Sequence, residues 1–387
     1  MLIGERDSLS NDETLVFLLN DREYYSQGLQ TKLAYDSRWR DFDLIIDAGV
    51  RIHQDQVQRR HRERYLVMRS GNLERTDRVD QVITRNKDDV TALAGFTNIR
   101  LSNDKLNASL GFRIENIDGE SQDFLTNNIS DNSDTVILPG AGIFYQLTPE
   151  IGVLAGVNKG YVPNSPGQQT DIDPEECWNY ELGLRANVAD WNMELIGFFN
   201  DYSNLIAVCT LSSGSECNQH VDTEFNGGEV DIYGAEASLK GSIALTSNLN
   251  VPVSVAYTFT ESEFKTSFQS DFGQWGTVEA GDELPYVSAN QLNVQVGLEG
   301  QDWSLLVAYK YIDDMREAAG RNVDLQGVFV ESLSQLDIAG YYQLNDALRL
   351  YAKLDNATDE AQIVSRRPFG ARPGKPRQFI FGAKYQF

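Results

Sequence analysis

Two arginines, Arg51 and Arg113, each lie in a Gly-x-Arg sequence. An arginine presents several N–H donors in a fixed planar fork, and this fork suits a carboxylate or another oxyanion. The two side chains are therefore candidate contacts for an anionic ligand. The alternative is that they pair with acidic neighbours such as Asp47 and Glu115, and the sequence leaves this alternative open.

Two of the three cysteines, Cys209 and Cys217, bracket the short polar segment TLSSGSE. We expect them to form a disulfide, because such a loop is easily closed outside the reducing cytosol, although two free thiols are the alternative. Cys177 lies beside Trp178, far in sequence from any histidine and without a metal-ligand spacing. We expect an inert thiol there.

Composition and motifs argue against nucleic-acid binding and catalysis. The chain has 33 basic and 57 acidic residues, a formal net charge of -24, whereas binding to nucleic acid requires basic faces. The sequence contains no HExxH, no Cys-His metal spacing and no phosphate-binding glycine motif. A Ser and His suitably placed for an outer-membrane lipase are also missing. We therefore expect neither an enzyme nor a covalently bound cofactor.

Strands must position these side chains, because apolar and polar residues alternate along most of the sequence. The last example is the row Phe379, Phe381, Ala383, Tyr385 and Phe387, which alternates with mostly polar residues. Helical periodicity does not prevail over any long window. No apolar run approaches the roughly 20 residues of a spanning helix. The pattern predicts an all-β, antiparallel fold.

The connections between the predicted strands indicate which kind of all-β protein this is. Short polar turns, for example at 37–41 and 102–105, alternate with long loops. The long loops are predicted at 55–88, 118–134, 160–176, 207–228, 262–286, 312–332 and 358–375. Tight turns at one end and long loops at the other are typical of an outer-membrane β-barrel. A lipocalin-like barrel or a sandwich is the alternative, but polar rows opposite the apolar rows favour a water-filled lumen.

We count about fifteen or sixteen strands, and residues 11–36 form either one long strand or two. A spanning sheet with two unpaired edges leaves backbone groups facing lipid, at roughly several kcal/mol each. The sheet should therefore close as a smaller barrel or lack strands on its N-terminal side. The start of the chain also lacks the basic and apolar regions of a signal peptide.

Several segments resemble the C-terminal barrel of TonB-dependent receptors. They are DPEECWNYELGLR (173–185), GFFNDYSNLI (197–206), GGEVDIYGAEASL (227–239), KLDNATDEA (353–361) and RPGKPRQFIFGAKYQF (372–387). NDREYYSQGLQTKLAYD (20–36) and AGVRIHQD (48–55) are similar to the ferric dicitrate receptor branch. The resemblance implies a siderophore receptor in the outer membrane of a Gram-negative bacterium, with the ferric siderophore as its transported ligand.

In this family a barrel of twenty-two strands surrounds an N-terminal plug, and a segment before the plug engages the TonB–ExbB–ExbD complex. We therefore interpret residues 1–387 as one partial barrel domain without the plug and the first strands. The resemblance also implies contacts with outer-membrane lipid and lipopolysaccharide. It further implies recognition of the last strand, which ends at Phe387, by the barrel assembly machinery.

Arg51 and Arg113 should point into the lumen, roughly 20 Å above the periplasmic turns. The resemblance implies the same role, because the matching Gly-x-Arg positions of ferric dicitrate receptors bind citrate. A second basic group, with Arg366, Arg367 and Arg372, could attract anions or bind lipopolysaccharide phosphate, or the loop could simply pack on its neighbours.

The predicted function is TonB-dependent uptake of a ferric siderophore, most simply a citrate-type chelate. A passive pore without a plug, a soluble all-β binding domain, and a receptor for cobalamin or a saccharide remain open alternatives.

Overall fold

The computed structural model describes residues 6–168, 172–210, 213, 217, 223–321, 329–367 and 370–387. One antiparallel sheet dominates them. Its main strands are β1 (Leu15–Trp39), β2 (Phe42–Arg69), β4 (Gln81–Ser102), β5 (Leu106–Asp123), β6 (Asn128–Gln146), β7 (Ile151–Val162), β8 (Glu175–Val188), β9 (Trp191–Tyr202), β12 (Val230–Thr246), β13 (Leu249–Phe264), β16 (Asn290–Glu299), β17 (Trp303–Ile312), β20 (Leu333–Asn345), β21 (Leu348–Asp355) and β24 (Gln378–Tyr385). Each pairs with the next in this order.

Short strands lie in the connections between the main strands of this sheet. β3 (Asn72–Arg75) folds back on the end of β2. Four small hairpins lie in the loops: β10 (Ile206–Val208) with β11 (Glu224–Asn226), β14 (Phe268–Gln269) with β15 (Thr277–Val278), β18 (Met315–Arg316) with β19 (Phe329–Val330), and β22 (Ile363–Ser365) with β23 (Arg372–Pro373). The all-β prediction is confirmed, and the main sheet has 16 strands when β3 is included.

Tight turns join the strands at one end of the sheet. Trp39 and Phe42 are paired across a turn of two residues, and the first of these, Arg40, has φ 56°. The turn at Ala189, with φ 50°, is built in the same way between β8 and β9. The long connections lie at the opposite end, as the alternation of short and long connections predicted.

The predicted loop at 55–88 is wrong in extent. β2 continues to Arg69 and β4 begins at Gln81, so the hairpin extends well beyond the predicted strand ends. The predicted loop at 118–134 is likewise mostly strand, with a connection of only four residues, 124–127. Polar residues occupy most positions on both faces of these extensions, and Tyr65–Met68 are four apolar residues in a row, so the sequence shows no alternation there. Pairing with neighbouring strands supplies the backbone hydrogen bonds instead. Residues 15–39, whose strand count was ambiguous, form the single strand β1.

The apolar rows of the sheet are exposed, and many of the side chains on the opposite face are covered. Leu29, Leu33 and Leu182 are 71%, 73% and 69% exposed, whereas Asp47 is 8% and Ala94 is 2% exposed. This distribution is the reverse of that in a soluble sandwich or lipocalin, whose apolar faces are buried. It agrees with a wall that has an apolar outer face and a polar inner face.

The hydrophobic core of the described residues lies in the loops and not inside the wall. It contains the buried side chains of Cys209, Cys217, Val230, Phe264, Phe272, Trp275, Val278 and Leu284. Most of them come from the connections that follow β9 and β13. Trp275 packs edge-on against Phe264, Phe268 and Phe272, with ring centroids 5.1–6.0 Å apart. These two loops are therefore a packed unit of their own.

The sheet has two edge strands, β1 and β24, and within the described ranges no ladder joins them. Closure as a smaller barrel, one of the two alternatives given above, is thus not seen there. A search of the described residues for helices long and apolar enough to cross a membrane found none.

Candidate functional site

The candidate site lies on the inner face of β2, β4 and β5. Arg51 is paired with Ala94, and Ala94 is paired with Glu115, so these three residues share one face of the sheet. Arg113 precedes Glu115 by two positions on the same strand and therefore has the same orientation. The adjoining residues Val50 and Ile52 are exposed on the other face. The structure places both candidate arginines on the inner face.

The two arginines are not directly level in the ladder. The register pairs Arg113 with Phe96, and Phe96 with Gly49, so Arg113 lies two residues closer to the tight turns than Arg51 does. The residue that is level with Arg51 is Glu115. Two strand spacings separate them, about 10 Å.

Arg51 contacts a histidine and no carboxylate. Its Nη2 lies 3.1 Å from His53 Nδ1. Because a guanidinium has no acceptor, Nδ1 must accept this hydrogen bond, which leaves the ring proton on Nε2, 3.0 Å from Ser26 Oγ. Among the described residues, no Asp or Glu oxygen lies within 4.0 Å of the Arg51 guanidinium. Most of its donors are therefore available to a ligand.

Arg113 has a different environment. Its Nε and Nη2 lie 2.8 Å and 2.7 Å from Glu115 Oε2. The acidic neighbour suggested for Arg51, Asp47, instead contacts Lys32 at 3.0 Å and Arg100 at 3.1 Å. The ion-pair alternative thus holds for Arg113 and does not hold for Arg51.

The glycine before Arg51 has a packing role that sequence reasoning missed. A Cβ atom built on Gly49 would lie 2.4 Å from the Thr31 carbonyl oxygen and 2.6 Å from the Phe96 ring. No side chain fits there without moving the neighbouring backbone. Gly111, in contrast, has no atom closer than 3.7 Å to such a Cβ. The two Gly-x-Arg segments therefore share a sequence pattern, but their glycines pack differently.

The arginines of the basic group in the last long loop have different contacts. The Arg366 backbone N–H and Nε donate to Glu317 Oε1 and to the Phe329 carbonyl, both at 2.9 Å. Arg367 Nη1 donates to the Ser213 carbonyl at 2.7 Å. Arg372 is exposed in β23. Arg366 and Arg367 thus bind neighbouring loops, which is the packing alternative noted above for this group.

Cys209 and Cys217 form a disulfide with their Cα atoms 5.2 Å apart, and both side chains are buried in the loop core. The bridge encloses Ser213, whose carbonyl accepts the bond from Arg367. Cys177 is a buried free cysteine whose Sγ lies 3.3 Å from Asn179 Oδ1. Within the described ranges, no three His, Cys, Asp or Glu side chains are grouped so that they could hold a metal ion.

Comparison with known proteins agrees with this architecture. The family model described as "TonB dependent receptor-like, beta-barrel" matches residues 4–357. The metal-pseudopaline receptor CntO of Pseudomonas aeruginosa strain UCBPP-PA14 is 26% identical over 195 residues, which are 43% of this chain and 28% of that receptor.

Among solved structures, the unliganded ferric citrate transporter FecA superposes with a TM-score of 0.76 and 16% identity, over 95% of this chain and 55% of that one. The siderophore receptor PiuA of Acinetobacter baumannii gives a TM-score of 0.73 with 15% identity, over 95% of this chain and 56% of that one. At such identities the likeness shows the fold alone. The chain spans about half the length of these structures.

Proposed function

This chain belongs to the TonB-dependent receptor-like β-barrel family, and from that premise we propose that it forms most of the barrel wall of an outer-membrane receptor for a ferric siderophore. The proposed ligand is a citrate-type chelate, whose carboxylates contact Arg51 first and Arg113 second. TonB drives uptake by the complete receptor. The chain itself catalyses no reaction.

The observation that carries this proposal is Arg51. It combines an inward orientation, partial burial and a guanidinium without a carboxylate partner in a chain of net charge -24. A cation left unpaired beside so many acids suits an anion that arrives from outside. His53 orients the guanidinium through its Nδ1 atom and leaves the other donors unused.

The choice of a citrate-type chelate rests on the Gly-x-Arg resemblance around Arg51 and Arg113. The sequence likeness to a metal-pseudopaline receptor favours a second candidate within the same class, a metal bound to a different chelator. A citrate-type chelate needs a cation on the inner wall. Cobalamin and saccharides do not need a cation at the position of Arg51.

The test is equilibrium binding of radiolabelled ferric citrate to the intact receptor in detergent, with Arg51→Ala, Arg113→Ala and the double variant. We expect Arg51→Ala to weaken binding by about 2 kcal/mol, or about thirtyfold, because a charge-assisted bond is lost. Arg113→Ala should cost less, because Glu115 already occupies that guanidinium.

Arg185→Ala is the matched control. Arg185 also lies on the inner face, and its Nε donates to Glu194 at 2.6 Å near the tight-turn end. Its removal should leave ferric citrate affinity unchanged. Unchanged affinity in the Arg51→Ala receptor would refute the proposal.

The proposal extends to the whole protein. We propose that further strands of a longer receptor pair with the open edges of β1 and β24, and that its plug fills the lumen and contacts the TonB–ExbB–ExbD complex. The alternative is a passive pore formed by this chain alone. Conductance of the 387-residue chain in a planar bilayer would favour the pore, and TonB-dependent uptake by the longer gene product would favour the receptor.

We also propose the envelope partners. The exposed apolar rows meet outer-membrane lipid, and Arg372, which stays exposed, contacts lipopolysaccharide phosphate. The last strand, ending at Phe387, serves as the segment that the barrel assembly machinery recognises. Lipopolysaccharide retained by the purified receptor and reduced by Arg372→Ala would support the first contact, and equal retention would refute it.

A further inference from the structure

A polar cavity of about 400 Å³ lies near the long-loop end of the inner wall, away from Arg51. Its wall comes from β4, β5 and β6, and its floor contains Arg59. Arg59 follows Arg51 by eight positions on β2, about 26 Å along the strand. The volume is within the range of small-molecule sites, which starts at about 300 Å³.

The charged groups of the cavity are balanced, with two arginines and two aspartates in its lining. Asp88, which is 6% exposed, forms an ion pair with Arg59 and accepts a hydrogen bond from Ser121 Oγ at 2.6 Å. Asp123 accepts bonds from its own loop, at 2.8 Å from the Leu125 N–H. The guanidinium of Arg85 lies 5.4 Å from the centre of the Phe124 ring. Two cations thus face two anions, and an anionic ligand gains no net attraction here.

Among the uncharged side chains that line the cavity, one buried polar atom needs a partner. Asn86 Oδ1 is buried and, among the described residues, receives no hydrogen bond. A buried acceptor without a donor costs free energy, so a ligand that brings a hydroxyl or N–H group is favoured. The hydroxyls of Thr84, Ser130 and Ser165 also line the cavity. Uncharged groups that both donate and accept therefore dominate the lining.

The segment 163–168 covers the cavity and is held firmly. The peptide between Asn164 and Ser165 is bonded at both ends, with its oxygen 3.3 Å from Asn132 Nδ2 and its nitrogen 2.9 Å from Glu224 Oε1. The Glu224 N–H in turn donates to Gln168 Oε1 at 2.9 Å. The cover is therefore fixed before any ligand binds.

One glycine brings this cover close to the wall. Gly167 has φ +84°, and a Cβ atom there would lie 2.8 Å from Ser121 Oγ. Only glycine allows both the positive φ and the close approach to Ser121 without strain. Leu125, Pro166 and Val208 add apolar patches to the same cavity.

We propose that this cavity binds an uncharged, hydroxyl-rich molecule, a mono- or disaccharide unit, with Asn86 Oδ1 as the central acceptor. The hydroxyl-bearing side chains match the rim of a sugar ring, and the apolar patches match its C–H faces. Charge balance separates this site from the anion contact proposed at Arg51. The two sites therefore select different chemistry on one wall.

The test is equilibrium dialysis of radiolabelled maltose against the intact receptor, with sodium citrate as an anionic competitor. We expect saturable binding of one maltose per chain that citrate does not displace. Asn86→Leu removes the acceptor at similar volume and should weaken maltose binding about tenfold. The control Asn98→Leu, on the same strand and the same face but outside the cavity, should leave maltose binding unchanged.

A second variant keeps the test decisive if Asn86→Leu fails to fold. Ser165→Ala lies in the covering segment, outside the wall, and should weaken maltose binding severalfold. Three results would each overturn the proposal: no saturable maltose binding, displacement of maltose by citrate, or an affinity for maltose in both cavity variants that equals that of the unmodified receptor. Arg51→Ala should change ferric citrate binding only, so failure of one site is distinguishable from failure of the other.

Discussion

The Glu115 carboxylate accepts two hydrogen bonds from the Arg113 guanidinium, at 2.8 Å from Nε and 2.7 Å from Nη2. The same carboxylate is level with Arg51 two strands away. Glu115 thus neutralises Arg113, whereas Arg51 has no carboxylate partner among the described residues. This asymmetry gives the two Gly-x-Arg arginines unequal roles in the proposed site.

Glu115→Gln should strengthen the binding of ferric citrate to the intact receptor. The substitution removes the charge that occupies Arg113, and we expect a gain of about 1 kcal/mol, or about fivefold in affinity. Equilibrium binding of the radiolabelled chelate measures the change. Glu194→Gln, which frees Arg185 near the tight turns, is the control and should have no effect. Unchanged or weaker binding in Glu115→Gln would exclude Arg113 as a ligand contact.

Trp275→Ala should unfold the loop core locally. Trp275 is 5% exposed and touches three phenylalanine rings, so its truncation should cost about 3–5 kcal/mol. Hydrogen exchange should accelerate at the Phe264 and Gly276 amides, which are bonded within these loops. Amides of β4 and β5 serve as internal controls and should keep their protection. Equal acceleration in those strands would show that the loop core and the wall unfold as one unit.

Replacing Cys209 and Cys217 by serine should loosen the same loops without opening the wall. The bridge closes a short loop, with a sequence separation of 8, and its removal should cost about 2–3 kcal/mol. Protease cleavage between the two positions should become faster, and binding of ferric citrate should stay unchanged because Arg51 lies on a different element. Matching cleavage rates before and after the substitution would show that packing alone fixes this loop.

The end of the β2–β4 hairpin that lies farthest from the tight turns should loosen in acid. A hydrogen bond from Arg64, with the nearby charges of Arg75 and Arg62, holds the pKa of Asp80 below its ordinary value of 3.8. Because the folded-state pKa is depressed, the stabilisation is complete above the unfolded value and is lost as the pH falls through the folded value. The protection of the amides of residues 64–80 against hydrogen exchange, taken relative to the intrinsic rate at each pH, should therefore fall below about pH 4.

Asp80→Asn is the control for this prediction. The variant should exchange rapidly at neutral pH and should lose most of the acid dependence of this hairpin. An unaltered pH profile in Asp80→Asn would refute the assignment of the acid response to Asp80.

The extent of the strands shows where sequence reasoning failed. Alternation identified the part of β2 nearest the tight turn, where Val50 and Ile52 face outward. It missed residues 55–64, which are polar on both faces except at Val57, and Tyr65–Met68, which are apolar on both faces. Strand formation in that part depends on the ladders with β1 and β4. No local pattern encodes ladders between residues so far apart in sequence.

The sequence by itself determined which side chains share a face. Side chains of a strand alternate with a period of two, so the orientations of Arg51 and Arg113 follow from the backbone alone. Only the tertiary structure decided which acids stay away from Arg51. The register between strands assigns Asp47 to Lys32 and Arg100. Glu115 and His53 lie two positions from Arg113 and Arg51 on the same strands and contact the two guanidiniums there. Register is a property of neighbouring strands and their turns, and a single strand does not carry it.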